Sequence, residues 1–166
     1  MIQHEAWTRT IRLCKGLSDD RIRKAYTTYF RDSGDRAIKQ RRGKSPRQIS
    51  LFVKTPPHQL KATTLIALFC NNLLLRADTT SKVYAHWPRT DVEYGHRVCR
   101  AFETYQILHP AAALNFEWAW NLLRSIVRND ELYLAVCRRC WSKYVQDAYA
   151  LDRRICPSCS LSGKPH

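Results

Sequence analysis

Apolar residues recur along most of this chain with a helical period. Between positions 19 and 31, Ile22, Tyr26, Tyr29 and Phe30 share one face, and Arg23, Lys24, Thr27, Thr28 and Arg31 take the other. Just ahead, Gly16-Leu17-Ser18-Asp19-Asp20 reads as the stop of a first helix, a tight turn, and an N-cap serine with two acids at the positive end of the next helix. The pattern therefore predicts helix, turn and basic helix, the last over 19–31. Pro56-Pro57 then precedes an apolar run, Leu60 through Leu75, which predicts a largely buried helix ending near Arg76-Ala77-Asp78. Residues 79–91, with Trp87-Pro88, read as a loop. Over 92–108, Tyr94, Val98, Ala101, Phe102 and Tyr105 form one stripe, and Pro110 starts another helix, predicted from 111 to about 128. That helix is apolar almost all round, with Trp118 and Trp120 on the side away from Leu114. Only Glu117, Asn121, Arg124 and Arg128 line up as a narrow polar strip. Such a helix needs cover from several directions, supplied by the monomer's own core or by another subunit. No long heptad repeat is present, which excludes a coiled coil.

After residue 130 the pattern changes. Glu131-Leu132-Tyr133-Leu134-Ala135-Val136 and Lys143-Tyr144-Val145-Gln146 are rich in strand formers and flank Cys137-Arg138-Arg139-Cys140. A second pair follows in Cys156-Pro157-Ser158-Cys159, so that residues 141 to 155 separate two CxxC motifs. This is the spacing of a structural zinc site: each CxxC turn presents two sulfurs from one bend, and the connection is long enough to bring the pairs face to face. Four thiolates complete a tetrahedral shell and leave no position for water or substrate. A redox dithiol reading lacks its βαβ context, and no signal peptide is expected from Met1-Ile2-Gln3-His4-Glu5-Ala6 that would favour disulfides. Cys14, Cys70 and Cys99 are scattered in apolar or helical surroundings and are expected to act as small hydrophobes. The fold class expected is mainly α: a helical core with a helix-turn-helix-like N-terminal part over 1–130, and a C-terminal zinc ribbon with short β-hairpins over 131–166.

Composition supports a folded chain, with 45% hydrophobic and 11% aromatic residues in 166. No stretch of about eighteen apolar residues occurs, so no membrane span and a cytoplasmic location are expected. Charge narrows the field further. The 28 Lys and Arg against 14 Asp and Glu give a formal +14, and an excess of that size implies an anionic partner. It is concentrated in a basic arm at about 31–54, carrying Arg36, Lys39, Arg41, Arg42, Lys44 and Arg47, and around the cysteines, where Arg138, Arg139, Arg153 and Arg154 lie. With Arg23 and Lys24 on the helix 19–31, these are the candidate nucleic-acid contacts.

Catalytic patterns fail. Gly43-Lys44-Ser45 resembles the end of a phosphate-binding loop, but Ile38 stands where its first glycine is required and Pro46 interrupts the following helix. No HExxH, GxSxG or GxGxxG occurs, and the six histidines share no ligand spacing. The chain is not expected to be an enzyme.

The order of features carries a resemblance. Arg21-Ile22-Arg23-Lys24-Ala25-Tyr26, Leu68-Phe69-Cys70-Asn71, Ala101-Phe102-Glu103-Thr104-Tyr105 and Ala119-Trp120-Asn121-Leu122-Leu123-Arg124, followed by the two CxxC pairs, resemble FlhC, the zinc-binding subunit of the bacterial flagellar master activator. The likeness runs from about residue 17 to 160. It implies Cys137, Cys140, Cys156 and Cys159 as ligands of one zinc ion, a hetero-oligomer with the small helical FlhD subunit, contact with RNA polymerase, and activation at promoter DNA of flagellar genes or, in relatives on conjugative elements, of transfer genes. The chain stops seven residues after Cys159, short of the family's usual basic tail. Two other classes suit the same residues: a zinc-ribbon RNA-binding or ribosome-associated protein, and a zinc-stabilised adaptor that binds only protein.

Overall fold

The computed structural model describes residues 1–30, 38, 48–86, 91–111, 114–129, 131–151 and 154–162. Helices dominate, and two small antiparallel hairpins are inserted among them. Helix α1 (Thr8–Lys15) ends on Gly16, whose φ of 65° is the left-handed conformation that glycine tolerates best. Two residues on, Ser18 caps α2 (Asp19–Tyr29) by accepting the Arg21 N–H at 3.4 Å, with Asp19 and Asp20 in the first turn. The predicted 19–31 helix thus ends at Tyr29, where Phe30 leaves helical geometry.

Short α3 (Ser50–Val53) leads into α4 (Pro56–Asn71), which Thr55 and two prolines start. Helix α4 is the hub of the molecule: α5, α6, α7 and both hairpins pack against it. The single helix expected through Leu75 is corrected. Asn72 ends it, Leu73 turns with φ 57°, and Leu74 and Leu75 carry the apolar run into the core, Leu75 as the first residue of strand β1 (Leu75–Ala77). The expected loop holds strand β2 (Val83–Ala85), which pairs with β1 so that Leu75 faces Ala85 and Ala77 faces Val83. Asp78 closes their turn by accepting from the Lys82 N–H at 2.9 Å and the Thr80 hydroxyl at 2.7 Å.

Helix α5 (Val92–Leu108) starts on Asp91, which accepts the Tyr94 N–H at 2.7 Å. Residues Pro110 and Ala111 form a turn, so the next helix does not start there. Helix α6 (Phe116–Arg128) begins at the Asn115 cap, five residues later than the periodicity indicated. Its Phe116, Ala119, Trp120, Leu122, Leu123 and Ile126 are buried within the chain's own core, and α4, α5, β2 and β3 cover it. The polar strip of Glu117, Asn121, Arg124 and Arg128 has one buried member. Glu117 is 3% exposed and accepts from the Trp7 N–H at 2.7 Å and the Thr10 hydroxyl at 2.9 Å, so it holds α1 to α6 instead of facing solvent. At the other end of α6, Asn129 adopts φ 54° and meets the backbone of Val83, its Nδ2 donating at 2.9 Å and its Oδ1 accepting at 3.4 Å.

Strands β3 (Leu132–Val136) and β4 (Lys143–Asp147) form the second hairpin, with Leu132 opposite Asp147 and Val136 opposite Lys143. In β4 the usual alternation is lost because both faces are covered. Val145 joins Leu132 and Leu134 in the main core, while Tyr144 packs with Cys137 and Cys156. The backbone of Val145 is completed from α4: Gln59 Nε2 donates to its carbonyl at 2.8 Å, and Thr63 Oγ1 accepts its N–H at 3.1 Å. Helix α7 (Pro157–Leu161) ends the described chain and packs on α4.

Candidate metal centre and its basic surround

The first CxxC pair is the link between β3 and β4. Pairing ends at Val136 and Lys143, and the bend between them is closed by the Cys137 N–H to Ser142 carbonyl bond at 3.0 Å and the Trp141 N–H to Cys137 carbonyl bond at 2.9 Å. The second pair has a different form. Cys156 is the N-cap of α7, its sulfur accepts the Cys159 N–H at 3.4 Å, and Pro157 occupies the first turn. Of the C-terminal ribbon with short β-hairpins, the described residues from 131 on show one hairpin, β3–β4, facing the start of a short helix.

The two pairs meet. The four sulfurs of Cys137, Cys140, Cys156 and Cys159 lie within 4.8 Å of one another, and Cys140 and Cys156 are 3.5 Å apart. A tetrahedral ion with sulfur at about 2.3 Å sets sulfurs about 3.8 Å apart, so this quartet can hold one metal ion with small adjustments. Among the described residues, no other group of His, Cys, Asp and Glu converges in this way.

Local electrostatics favour thiolate at one corner. Burial pushes the Cys137 thiol up, but the N–H groups of Cys156, Cys140 and Arg139 outweigh burial and bring it down to about 6. Two of these contacts are the Cys156 N–H at 3.2 Å and the Arg139 N–H at 3.4 Å. Cys159 goes the other way, pushed up to about 12 chiefly by the Cys140 thiol beside it. Crowded sulfurs without a cation cannot all ionise, and a bound cation removes that conflict. Cys14, Cys70 and Cys99 stay apart from the quartet: Cys14 is buried, and the other two are half-buried against the main core.

Basic side chains surround the quartet. Arg138 and Arg154 are exposed and lie side by side, because the Arg138 N–H donates to the Arg154 carbonyl at 2.9 Å. Arg139 is half-buried, and Lys143 is exposed with its ammonium donating to the Asp78 carbonyl at 2.8 Å. Arg23 and Lys24 sit elsewhere, exposed on α2, where Arg23 pairs with Asp20. Arg36, Lys39, Arg41, Arg42, Lys44, Arg47 and Arg153 lie outside the described residues.

One residue of this surface escaped the sequence reading. Trp141, directly after Cys140, is 77% exposed and has φ 61°. Its placement after the second cysteine of a knuckle, where the turn calls for a left-handed residue, was the available signal.

No helix among the described residues is long and apolar enough to cross a membrane. No protein-family model matches the chain, and none of the curated proteins matches it.

Proposed function

We propose that this chain is a DNA-binding subunit of a transcription activator of the FlhC-like kind. One structural zinc ion occupies the Cys137, Cys140, Cys156, Cys159 quartet, and a small helical FlhD-like subunit is the partner at promoters of flagellar or related genes. The observation that carries the reading is the coincidence of a closed thiolate quartet with a basic surface. Arg138 and Arg154 are fixed side by side by a backbone bond next to the sulfurs. A soft, all-sulfur, four-membered donor set suits zinc, and its closed shell assigns the ion a structural role. A tetrathiolate around a divalent ion keeps net negative charge, but Arg138, Arg139, Lys143 and Arg154 outnumber it, so the surface remains attractive to phosphates. The formal +14 of the chain acts in the same direction.

The test is a fluorescence-anisotropy titration of duplex DNA by the zinc-loaded chain over a salt series, alone and with a FlhD-like subunit. Arg138→Ala and Arg154→Ala are each expected to lower the slope of log affinity against log salt by about one unit. Binding that ignores salt, or a preference for structured RNA in competition, would overturn the reading. No binding to either nucleic acid would point to a protein-only adaptor.

A further inference from the structure

Trp141 is a costly residue for its position. The knuckle holds it at φ 61° by the bond from its N–H to the Cys137 carbonyl at 2.9 Å. A left-handed backbone is ordinary for glycine but an outlier for a bulky aromatic residue. Nothing in the core compensates, because the indole is 77% exposed and belongs to neither buried cluster. Conformational strain and an exposed apolar ring therefore coincide at one residue, a combination that stability does not account for.

Its surroundings define what it can meet. Arg138 and Arg139 precede it in the same turn, Lys143 follows, and Arg154 is bonded through its backbone to Arg138. From 133 to 146 and from 154 to 162 the described chain contains no carboxylate. The ring thus projects from an arginine-rich turn whose backbone the two cysteine pairs fix. An aromatic ring between cations fits a polyanion that also offers flat apolar faces, which describes DNA.

We propose that Trp141 is a DNA-contacting side chain, an indole wedge pressed against the sugars and a base step of duplex DNA while the arginines beside it hold phosphates. The inference rests on the DNA-binding reading above and adds the element that grips the duplex by contact as well as by charge.

Trp141→Gly tests it in the zinc-loaded full chain against a fluorescein-labelled duplex of mixed sequence. Glycine relaxes the backbone, so metal content should be unchanged and the melting temperature equal to or above that of the parent. Affinity for the duplex should fall about tenfold, within the range that loss of aromatic stacking gives on single strands. The salt slope should stay the same, in contrast to Arg138→Ala. Trp141→Phe should recover most of the loss. Should glycine loosen the knuckle and release metal, Trp141→Asn, which also accepts a left-handed backbone, repeats the measurement. Parental affinity in a metal-loaded Gly or Asn variant overturns the wedge and leaves the DNA-binding reading standing, as does a loss confined to single strands or RNA. Failure of the parent chain to bind any duplex, with or without a FlhD-like subunit, overturns both.

Discussion

Glu117 does for α1 what that helix's own sequence does not. Trp7 stands at the N-cap of α1 and has no side-chain oxygen to offer the first turn. The Glu117 carboxylate, from the first turn of α6, accepts the Trp7 N–H and the Thr10 hydroxyl instead. One buried anion thereby sits at the positive ends of two helices separated by about a hundred residues of chain. Glu117→Ala removes the acceptor and leaves buried donors unsatisfied, which costs more than the net value of the bonds themselves. We expect a loss of roughly 3 kcal/mol in urea unfolding. Thr10→Ala, which takes away a donor and its own demand together, should cost about 1 kcal/mol. Equal effects from the two variants would refute the account. Periodicity placed Glu117 on a polar strip without its partner, because a helical wheel records polarity and spacing, not the helix end waiting opposite.

At the scale of elements, legibility followed the range of the interaction that decides each structure. Caps were readable because Ser18 and its acids act within one turn. The end of α4 was not, since Leu74 and Leu75 are as apolar as a helix interior and are buried at the entry to a strand instead. The second CxxC pair reads alike as a knuckle or as a helix start, because Pro157 suits either. The quartet itself was legible, as its spacing alone limits how the sulfurs can meet. Contact between α1 and α5 was beyond reach, and it rests on a small residue. A Cβ at Gly95 would stand 2.6 Å from Cε and 2.7 Å from Cγ of Lys15, so the lysine stem lies across α5 where glycine leaves room. Alanine normally stabilises a helix interior over glycine by about 1 kcal/mol. Gly95→Ala should deliver that gain in a Lys15→Ala background and lose most or all of it in the parent. Denaturant titration of the four proteins of this double-mutant cycle measures the coupling, and identical effects in both backgrounds would remove the contact from the account.

For the molecule as a whole, the question is how far the metal centre's influence extends. Leu132, Leu134 and Val145 belong to the main core, Gln59 and Thr63 complete the Val145 backbone, and α7 packs on α4. The quartet therefore joins the two chain segments that close one side of the helical hub. Proposed as zinc, the ion is then part of the folding energy of the entire chain. Stripping it with a strong chelator, or substituting Cys137→Ser or Cys156→Ser, should lower stability by on the order of 5 kcal/mol. That is less than in zinc-finger peptides, because the hairpin keeps its contacts to α4. Thermal unfolding should move to lower temperature as one cooperative transition, followed by circular dichroism at a helix-sensitive wavelength. Acid should act in the same direction. Bound thiolates have their protonation suppressed, so the metal's contribution is present at neutral pH and is lost as the pH falls and protons displace the ion. Zinc release to a chromophoric chelator and loss of helix should then follow the same pH curve. Release of zinc with an unchanged helical melting transition would confine the ion to the knuckles and overturn its coupling to the core.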